Sequence, residues 1–84
     1  MSAELLDHRV LVVGAGGGIG AATAEAFANA GAKVTAAGRP GVRLTTTAAR
    51  VQSDAVSLDV LDDELIERFF VKSAPFHHVV VAAA

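Results

Sequence analysis

The sequence predicts an α/β domain whose strands form a doubly wound parallel sheet. Three observations indicate this fold class: short apolar runs rich in β-branched residues, helix-like stretches between those runs, and a glycine cluster directly after the first run. Strands that are joined by helical crossovers run parallel, with right-handed connections. For four such strands we expect the order 3-2-1-4, which is the first part of a doubly wound sheet.

The first strand is predicted at residues 8–13, and the first helix begins at Ile19. Gly31 stands directly after the predicted end of this helix, where glycine adopts a positive φ without a Cβ penalty. The second strand, residues 33–37, is short and apolar enough to be buried on both faces. The apolar face of the first helix follows a spacing of three and four residues and comprises Ile19, Ala22, Thr23, Ala26, Phe27 and Ala30.

The second half of the chain continues the alternation. A helix is expected at residues 42–51, although three consecutive threonines within it are β-branched and disfavour a helix. A third strand at residues 55–58 precedes a third helix that begins near Asp62, where acidic residues face the positive end of the helix dipole. A fourth strand is predicted at residues 78–83. The apolar stripe of the third helix comprises Leu61, Leu65, Ile66, Phe69 and Phe70.

Composition limits this chain of 84 residues to one small domain or to part of a larger one. It is 52% hydrophobic, which indicates apolar surface that further chain or another subunit would cover. We therefore expect residues 1–84 to be an N-terminal part whose sheet is cut off after the fourth strand, leaving an exposed edge. The net charge of −2 gives no electrostatic footprint for nucleic acid. The uncharged segment 10–24 is too short to span a membrane, so a cytoplasmic location is expected.

The glycine cluster between the first strand and the first helix fits two patterns. One is Gly14-x-x-x-Gly18-x-Gly20, and the other is Gly16-x-Gly18-x-x-Ala21. In both, one glycine allows a tight turn, another lets the backbone approach an anion, and a third lets the helix pack closely on the strand.

The helix that follows this cluster would offer unpaired N–H groups and a positive dipole end to a pyrophosphate. A glycine-rich turn without a ligand is the alternative. A P-loop is excluded, because Ala21 and Ala22 stand where Lys and Ser or Thr would be required. The residues predicted to bind the dinucleotide here are Gly14, Ala15, Gly16, Gly17, Gly18, Ile19 and Gly20.

The end of the second strand bears on which cofactor is bound. NAD-binding sites place an acid there for the ribose 2′-hydroxyl, but no carboxylate occurs between Glu25 and Asp54. Arg39 stands at this point instead, and an arginine can pair with a 2′-phosphate through a charge-assisted bond. Arg43 would assist it. NADP(H) is therefore predicted over NAD(H), and a solvated loop arginine is the alternative.

The positions of two further groups of polar residues predict whether they can bind a ligand. Asp59, directly after the third strand, would accept a hydrogen bond from the adenine amino group or, alternatively, cap the helix near Asp62. His8, His77 and His78 begin strands, far from the carboxyl ends where ligands bind. The sequence therefore predicts no metal site.

On these residues, the chain resembles the N-terminal portion of the short-chain dehydrogenase/reductase family, from about Arg9 to Ala84. Gly14-x-x-x-Gly18-Ile19-Gly20 is similar to the family's cofactor motif, with Val13 where threonine is usual, and Gly38-Arg39 is similar to NADP-preferring members. The resemblance implies a Rossmann-type dinucleotide-binding domain. It also implies a soluble homo-oligomer, a dimer or tetramer, that acts on a carbonyl or alcohol substrate.

The resemblance assigns further contacts and shows one departure. Leu58-Asp59-Val60 resembles the family's Asp-Val pair, which implies adenine binding by Asp59 and Val60. The end of the fourth strand falls where the family commonly has Asn-Asn-Ala-Gly, and both asparagines are alanine. Backbone contacts with the cofactor are still expected from Ala82, Ala83 and Ala84.

The family's catalytic serine and its Tyr-x-x-x-Lys pair lie further along the chain. This sequence has no tyrosine, so no catalytic residue is assigned and the 84 residues alone are expected to be inactive. An NADP(H)-dependent oxidoreductase is the leading hypothesis. A non-catalytic NADP(H)-binding regulator on the same fold is the second, motivated by the missing asparagines. A flavin-binding domain is disfavoured, because that class usually has an acid at Gly38.

Overall fold

The computed structural model of the chain describes residues 5–82. Strands and helices alternate along this range, as the sequence predicts. Its elements, in chain order, are β1 (Arg9–Val13), α1 (Gly18–Asn29), β2 (Lys33–Gly38), α2 (Val42–Arg50), β3 (Ala55–Ser57), α3 (Asp63–Lys72) and β4 (His78–Val81). The predicted fourth strand ends earlier than expected, at Val81, and Ala83 and Ala84 lie outside the described residues.

The four strands form one sheet in the order β3-β2-β1-β4, and all three pairings are parallel. The predicted strand order is thus confirmed. Val13 at the end of β1 pairs with Ala37 of β2 on one side and with Val81 of β4 on the other. The carboxyl ends of these three strands are therefore level, and the segments that leave them meet along one edge.

The core lies on both faces of β1, because consecutive strand residues point to opposite sides of a sheet. Val10 and Val12 pack with the side of the sheet that α1 and α2 cover, including Ala24 and Leu44. On the other face is a smaller cluster against α3, formed by Leu11, Val13, Ala37 and Leu58 with Leu65, Ile66, Phe69 and Phe76. The domain therefore has three layers, with β1 buried at the centre.

The predicted apolar face of α1 was correct for Phe27, which packs against the core, and wrong for Ile19, Ala22 and Ala26, which are exposed. The buried residues of this helix are Gly20 and Ala24, whereas the side chain of Ile19 is 77% exposed. Nearly every position of α1 is apolar, so periodicity does not distinguish one face from another. The fully buried residues are the smallest ones, because the helix lies very close to the end of β1.

The second strand is buried largely as predicted, with Val34, Ala36 and Ala37 inside, but Lys33 at its start is exposed. The apolar stripe of α3 is correct for Leu65, Ile66 and Phe69. Two members of that stripe were wrong, since Leu61 lies before the helix and is 82% exposed and Phe70 is 42% exposed.

The third helix begins next to Asp62 and has acids in its first turn, as the sequence predicts, and the structure adds a side-chain cap. Asp62 is the N-cap, and its carboxylate accepts a hydrogen bond of 3.0 Å from the backbone N–H of Leu65. Asp63 and Glu64 occupy the first turn. The N-terminus of α3 therefore has a side-chain acceptor for one of its free N–H groups and negative charges that favour the positive end of its dipole.

Replacing Asp62 with alanine should lower the free energy of unfolding by about 1 kcal/mol, the usual cost of a lost N-cap. Asp63→Ala is the matched control, since it removes the same charge from the first turn without removing the cap. We expect a smaller loss for Asp63→Ala, about 0.3–1 kcal/mol that salt screens. Urea unfolding of both variants measures the difference, and equal losses would contradict the capping role.

Candidate functional site

An open cleft of about 870 Å³ lies at the carboxyl ends of the strands. This volume is within the range of roughly 300–1,000 Å³ that small-molecule sites occupy. In open α/β sheets, ligands bind at this edge. The cleft is lined by Val13, Gly14, Gly16, Gly17, Gly18, Ile19, Gly38, Arg39, Pro40, Gly41, Val42, Arg43, Leu44, Leu58, Asp59, Val60, Leu61 and Ala82.

The first wall of the cleft is the bend between β1 and α1. Gly14 has a φ of 87°, a conformation that favours glycine. The backbone N–H groups of Gly14 and Ala15 both donate to the carbonyl of Ala37, at 2.9 and 3.0 Å. The N–H of Gly17 donates to the carbonyl of Gly14 at 3.1 Å. These bonds fix the bend against the neighbouring strand.

Two glycines of the cluster have opposite surroundings. A Cβ added to Gly20 would overlap the carbonyl group of Gly14, so only glycine lets α1 lie this close to the bend. A Cβ added to Gly18 would meet nothing within 4 Å. The structure thus favours the first sequence pattern, in which Gly14 makes the turn and Gly20 the close helix contact.

The N-terminus of α1 has none of the side-chain partners found at α3. Its N-cap is Gly17, no side chain accepts a hydrogen bond there, and its first turn has no acid. The first N–H groups of a helix have no intrahelical partner, so they require water, a cap or a ligand. The start of α1 therefore presents donors and a positive dipole end at the wall of the cleft.

The second wall is the segment between β2 and α2. Arg39 directly follows β2, is exposed, and lines the cleft together with Arg43 from the first turn of α2. The two ion pairs of the described residues join Lys33 to Asp7 and Arg50 to Glu25. Within residues 5–82, therefore, neither arginine of the cleft is neutralised by a carboxylate.

The two walls touch at Gly16. A Cβ added to Gly16 would lie 3.2 Å from the backbone nitrogen of Leu44 and 3.5 Å from the Cβ of Arg43. The glycine bend and the first turn of α2 are therefore packed directly against each other, with no side chain between them.

The third wall follows β3. The Oδ1 atom of Asp59 accepts a hydrogen bond of 2.9 Å from the N–H of Leu61, and Asp62 rather than Asp59 caps α3. The capping alternative for Asp59 was therefore wrong. Among the described residues, this hydrogen bond uses one of the two carboxylate oxygens of Asp59. Val60 and Asp59 both line the cleft and are exposed.

Most of the predicted site residues meet at this cleft, with two exceptions. Ala15 and Gly20 are buried behind the bend and do not line the cleft. Ala82 lines it, and its N–H donates to the carbonyl of Val13 at 2.8 Å. Ala83 and Ala84 lie outside the described residues. Sequence reasoning missed Pro40, Gly41, Val42, Leu44, Leu58 and Leu61, whose only signal is that they neighbour predicted residues.

The parallel sheet, its crossover helices and the glycine bend at the strand ends define a Rossmann-type α/β domain. The sequence model of the family described as short chain dehydrogenase matches residues 8–78. The chain therefore belongs to the short-chain dehydrogenase family. This confirms the resemblance seen in the sequence motifs.

Several known proteins are similar to the chain. An uncharacterized oxidoreductase of Staphylococcus saprophyticus is 47% identical over 51 residues, which are 61% of this chain and 22% of that protein. The structure of a Brucella melitensis protein described as ribose-5-phosphate isomerase matches all of this chain and 34% of its own, with 30% identity and a TM-score of 0.88. A short chain dehydrogenase from Escherichia coli matches 96% of this chain and 41% of its own, with 28% identity and a TM-score of 0.79.

The chain therefore spans about a fifth of that oxidoreductase and a third to two fifths of those two structures. Among the described residues, no helix combines the length and the apolar character that crossing a membrane requires.

Proposed function

We propose that the protein containing this chain is an NADP(H)-dependent oxidoreductase that transfers hydride between the nicotinamide and a carbonyl or alcohol substrate. The chain contributes the cofactor-binding half. The observation that carries the proposal is the start of α1, where uncapped donors face the cleft at the strand ends and the first turn has no acid. Family membership supports a nicotinamide cofactor.

In this proposal, the backbone N–H groups of Gly18 and Ile19 hold the pyrophosphate at the start of α1, beside Gly17, whose own N–H is bonded to the carbonyl of Gly14. The residues present fit such a group, because Gly18 leaves open space where a side chain would stand. Gly14 and Gly20 act indirectly by shaping the bend.

The NADP(H) preference rests on the second wall. Arg39 would pair with the 2′-phosphate, and Arg43 would add positive charge beside it. Asp59 would accept a hydrogen bond from the adenine amino group, with Val60 alongside. The backbone of residues 82–84 would run along the cofactor ribose.

In this proposal, the groups that bind the substrate and catalyse the reaction are not among the 84 residues of this chain. The chain contains no tyrosine, so the acid/base of the family pattern is not among its 84 residues, and we propose that these residues alone are inactive. We also propose a cytoplasmic homo-oligomer, a dimer or tetramer. Exposed apolar side chains on α3 and β4, such as Val71, Val79 and Val81, support a partner surface there.

The pyrophosphate site is tested by Gly18→Ala. The new methyl group meets no protein atom, so the fold should persist, with helix stability rising by up to about 1 kcal/mol. Binding of both NADPH and NADH should weaken at least tenfold, because one lost charge-assisted hydrogen bond is worth about 1.5–3 kcal/mol and 1.4 kcal/mol is tenfold. Fluorescence titration with each cofactor measures this.

The two cofactors are each other's control in this experiment, since both carry the same pyrophosphate. A Gly18→Ala protein that folds and binds NADPH and NADH as tightly as the parent would contradict the proposed site.

A second candidate is an NADP(H)-binding regulator without catalysis. It is favoured by the two alanines that stand where the family commonly has asparagines after β4. Hydride transfer by the protein, followed through NADPH absorbance with a panel of carbonyl compounds, would support the enzyme. Tight NADPH binding without turnover would support the regulator.

A further inference from the structure

Three histidines meet at the edge of the sheet opposite to the cleft, where β1 and β4 begin. His8 and His77 each directly precede a strand, and His78 is the first residue of β4, paired in register with Val10. The rings of His8 and His77 are stacked with centroids 4.8 Å apart, and those of His8 and His78 are 5.4 Å apart. The parallel pairing of β1 with β4 thus brings together side chains from the two ends of the chain.

His77 is engaged by the backbone. The N–H of Arg9 donates to Nδ1 of His77 at 2.9 Å. A neutral imidazole whose Nδ1 accepts a hydrogen bond carries its proton on Nε2, so neither ring nitrogen offers a lone pair to a metal. His77 is therefore not a ligand in this arrangement.

His8 and His78 are placed differently. Nδ1 of His8 and Nε2 of His78 face each other at 3.3 Å. Zinc binds histidine nitrogens at 2.0–2.1 Å in tetrahedral geometry, which puts two such nitrogens about 3.3 Å apart. The structure has these two nitrogens within hydrogen-bond distance, and their separation also equals that of two nitrogens bound to one tetrahedral zinc ion.

We propose that His8 and His78 form a two-imidazole site for a zinc(II) ion that joins the start of β1 to the start of β4. Without metal, the two facing nitrogens share a hydrogen bond, and the tautomers of the rings decide which nitrogen donates it. When zinc binds, the donor ring takes its proton on its other nitrogen, so that both facing lone pairs are available to the metal.

Water completes the coordination in this proposal. Across residues 5–82, no group of three or more His, Cys, Asp or Glu side chains is arranged to hold a metal ion. Of the two nearby positive charges, Lys33 lies 3.8 Å from the carboxylate of Asp7, and the guanidinium of Arg9 donates to the carbonyl of Pro75 at 2.8 Å.

The site lies about 16 Å from the cleft, the length of a strand of five residues such as β1. Its expected effect is on stability rather than on nucleotide binding. The two ligands are 70 positions apart in the chain, so the unfolded protein does not hold them together and zinc stabilises the folded state by mass action.

Calorimetric titration of the purified protein with Zn²⁺ tests the site, with one ion expected per chain. His8→Ala and His78→Ala should each weaken Zn²⁺ binding by more than the roughly tenfold that loss of an outer-shell partner costs. His77→Ala is the matched control and should bind Zn²⁺ as the parent does. Added Zn²⁺ should raise the Tm of the parent and of His77→Ala, but not of the other two variants.

All three histidines are exposed or half-exposed, so the substitutions should leave the fold intact, as circular dichroism will show. His8→Gln and His78→Gln, which keep a polar side chain, should lose Zn²⁺ equally. Zn²⁺ binding that survives in His8→Ala and His78→Ala would overturn the proposal, and so would an equal loss in His77→Ala.

Discussion

Gly20→Ala is expected to destabilise the protein more than any other single methyl group in the glycine bend. The added Cβ would overlap the carbonyl group of Gly14, which is backbone and cannot rotate away. Overpacking usually costs 1–3 kcal/mol, and we expect about 3 kcal/mol or more because α1 would have to move off β1. Folded domains have only about 5–15 kcal/mol to lose. Urea unfolding followed by circular dichroism measures the change.

Gly18→Ala is the control, since the same methyl group two residues earlier meets no neighbour. The two variants should separate folding from binding: Gly20→Ala loses stability, whereas Gly18→Ala keeps it and loses the dinucleotide. A Gly20→Ala protein whose free energy of unfolding lies within about 1 kcal/mol of the parent, the cost of an ordinary surface change, would show that α1 is not held this close to the bend.

The second large effect concerns Arg39. Arg39→Ala should weaken NADPH binding roughly ten- to a hundredfold, since each 1.4 kcal/mol is a factor of ten. NADH lacks the 2′-phosphate, so its affinity should change little. Arg39→Lys should lie between the parent and the alanine variant, because lysine keeps the charge but not the bidentate geometry. Isothermal titration of the three proteins with both cofactors gives the six affinities required.

Arg50 offers a matched control for Arg39. It lies at the last turn of α2, is exposed, and pairs with Glu25 at 3.7 Å. Arg50→Ala removes the same charge and should leave both cofactors unaffected. Equal losses of NADPH and NADH in Arg39→Ala would refute the assignment of cofactor preference to this residue.

The sequence predicted the order of the strands because strand and crossover signals are local and the handedness of the connections is nearly invariant. It also predicted the ends of two helices correctly. Gly31 has a φ of 94° directly after α1, and Asp62 caps α3. Each of these helix ends is signalled by the chemical nature of one or two residues, which can be read from the sequence without knowledge of the fold.

The face of α1 could not be predicted in the same way. A periodic pattern identifies a buried face only when the opposite face is polar, and α1 is apolar nearly all round. The orientation of α1 is set by its close approach to Gly14. Only glycine fits at position 20 there, because a Cβ would overlap the carbonyl group of Gly14. Hydrophobic patterns do not report on glycine, so Ile19 was placed inside although it is exposed.

The glycine cluster and Arg39 could be predicted to line the cleft because the glycines lie between a strand and a helix and Arg39 stands where NAD-binding sites have an acid. No sequence pattern distinguishes the other residues that line the cleft. The contact between His8 and His78 is hidden for another reason: it depends on the register between β1 and β4, which is set by packing and not by either segment alone.

The direct contact at Gly16 has a consequence for how the cleft receives its ligand. The loop that would face the pyrophosphate and the turn that would face the 2′-phosphate share one backbone-to-backbone contact, so their spacing is set during folding and not during binding. A preorganised site loses less conformational entropy when the ligand arrives. A bulky side chain at this one position would push the two anion sites apart and weaken the recognition of both phosphate groups on the adenosine ribose at once.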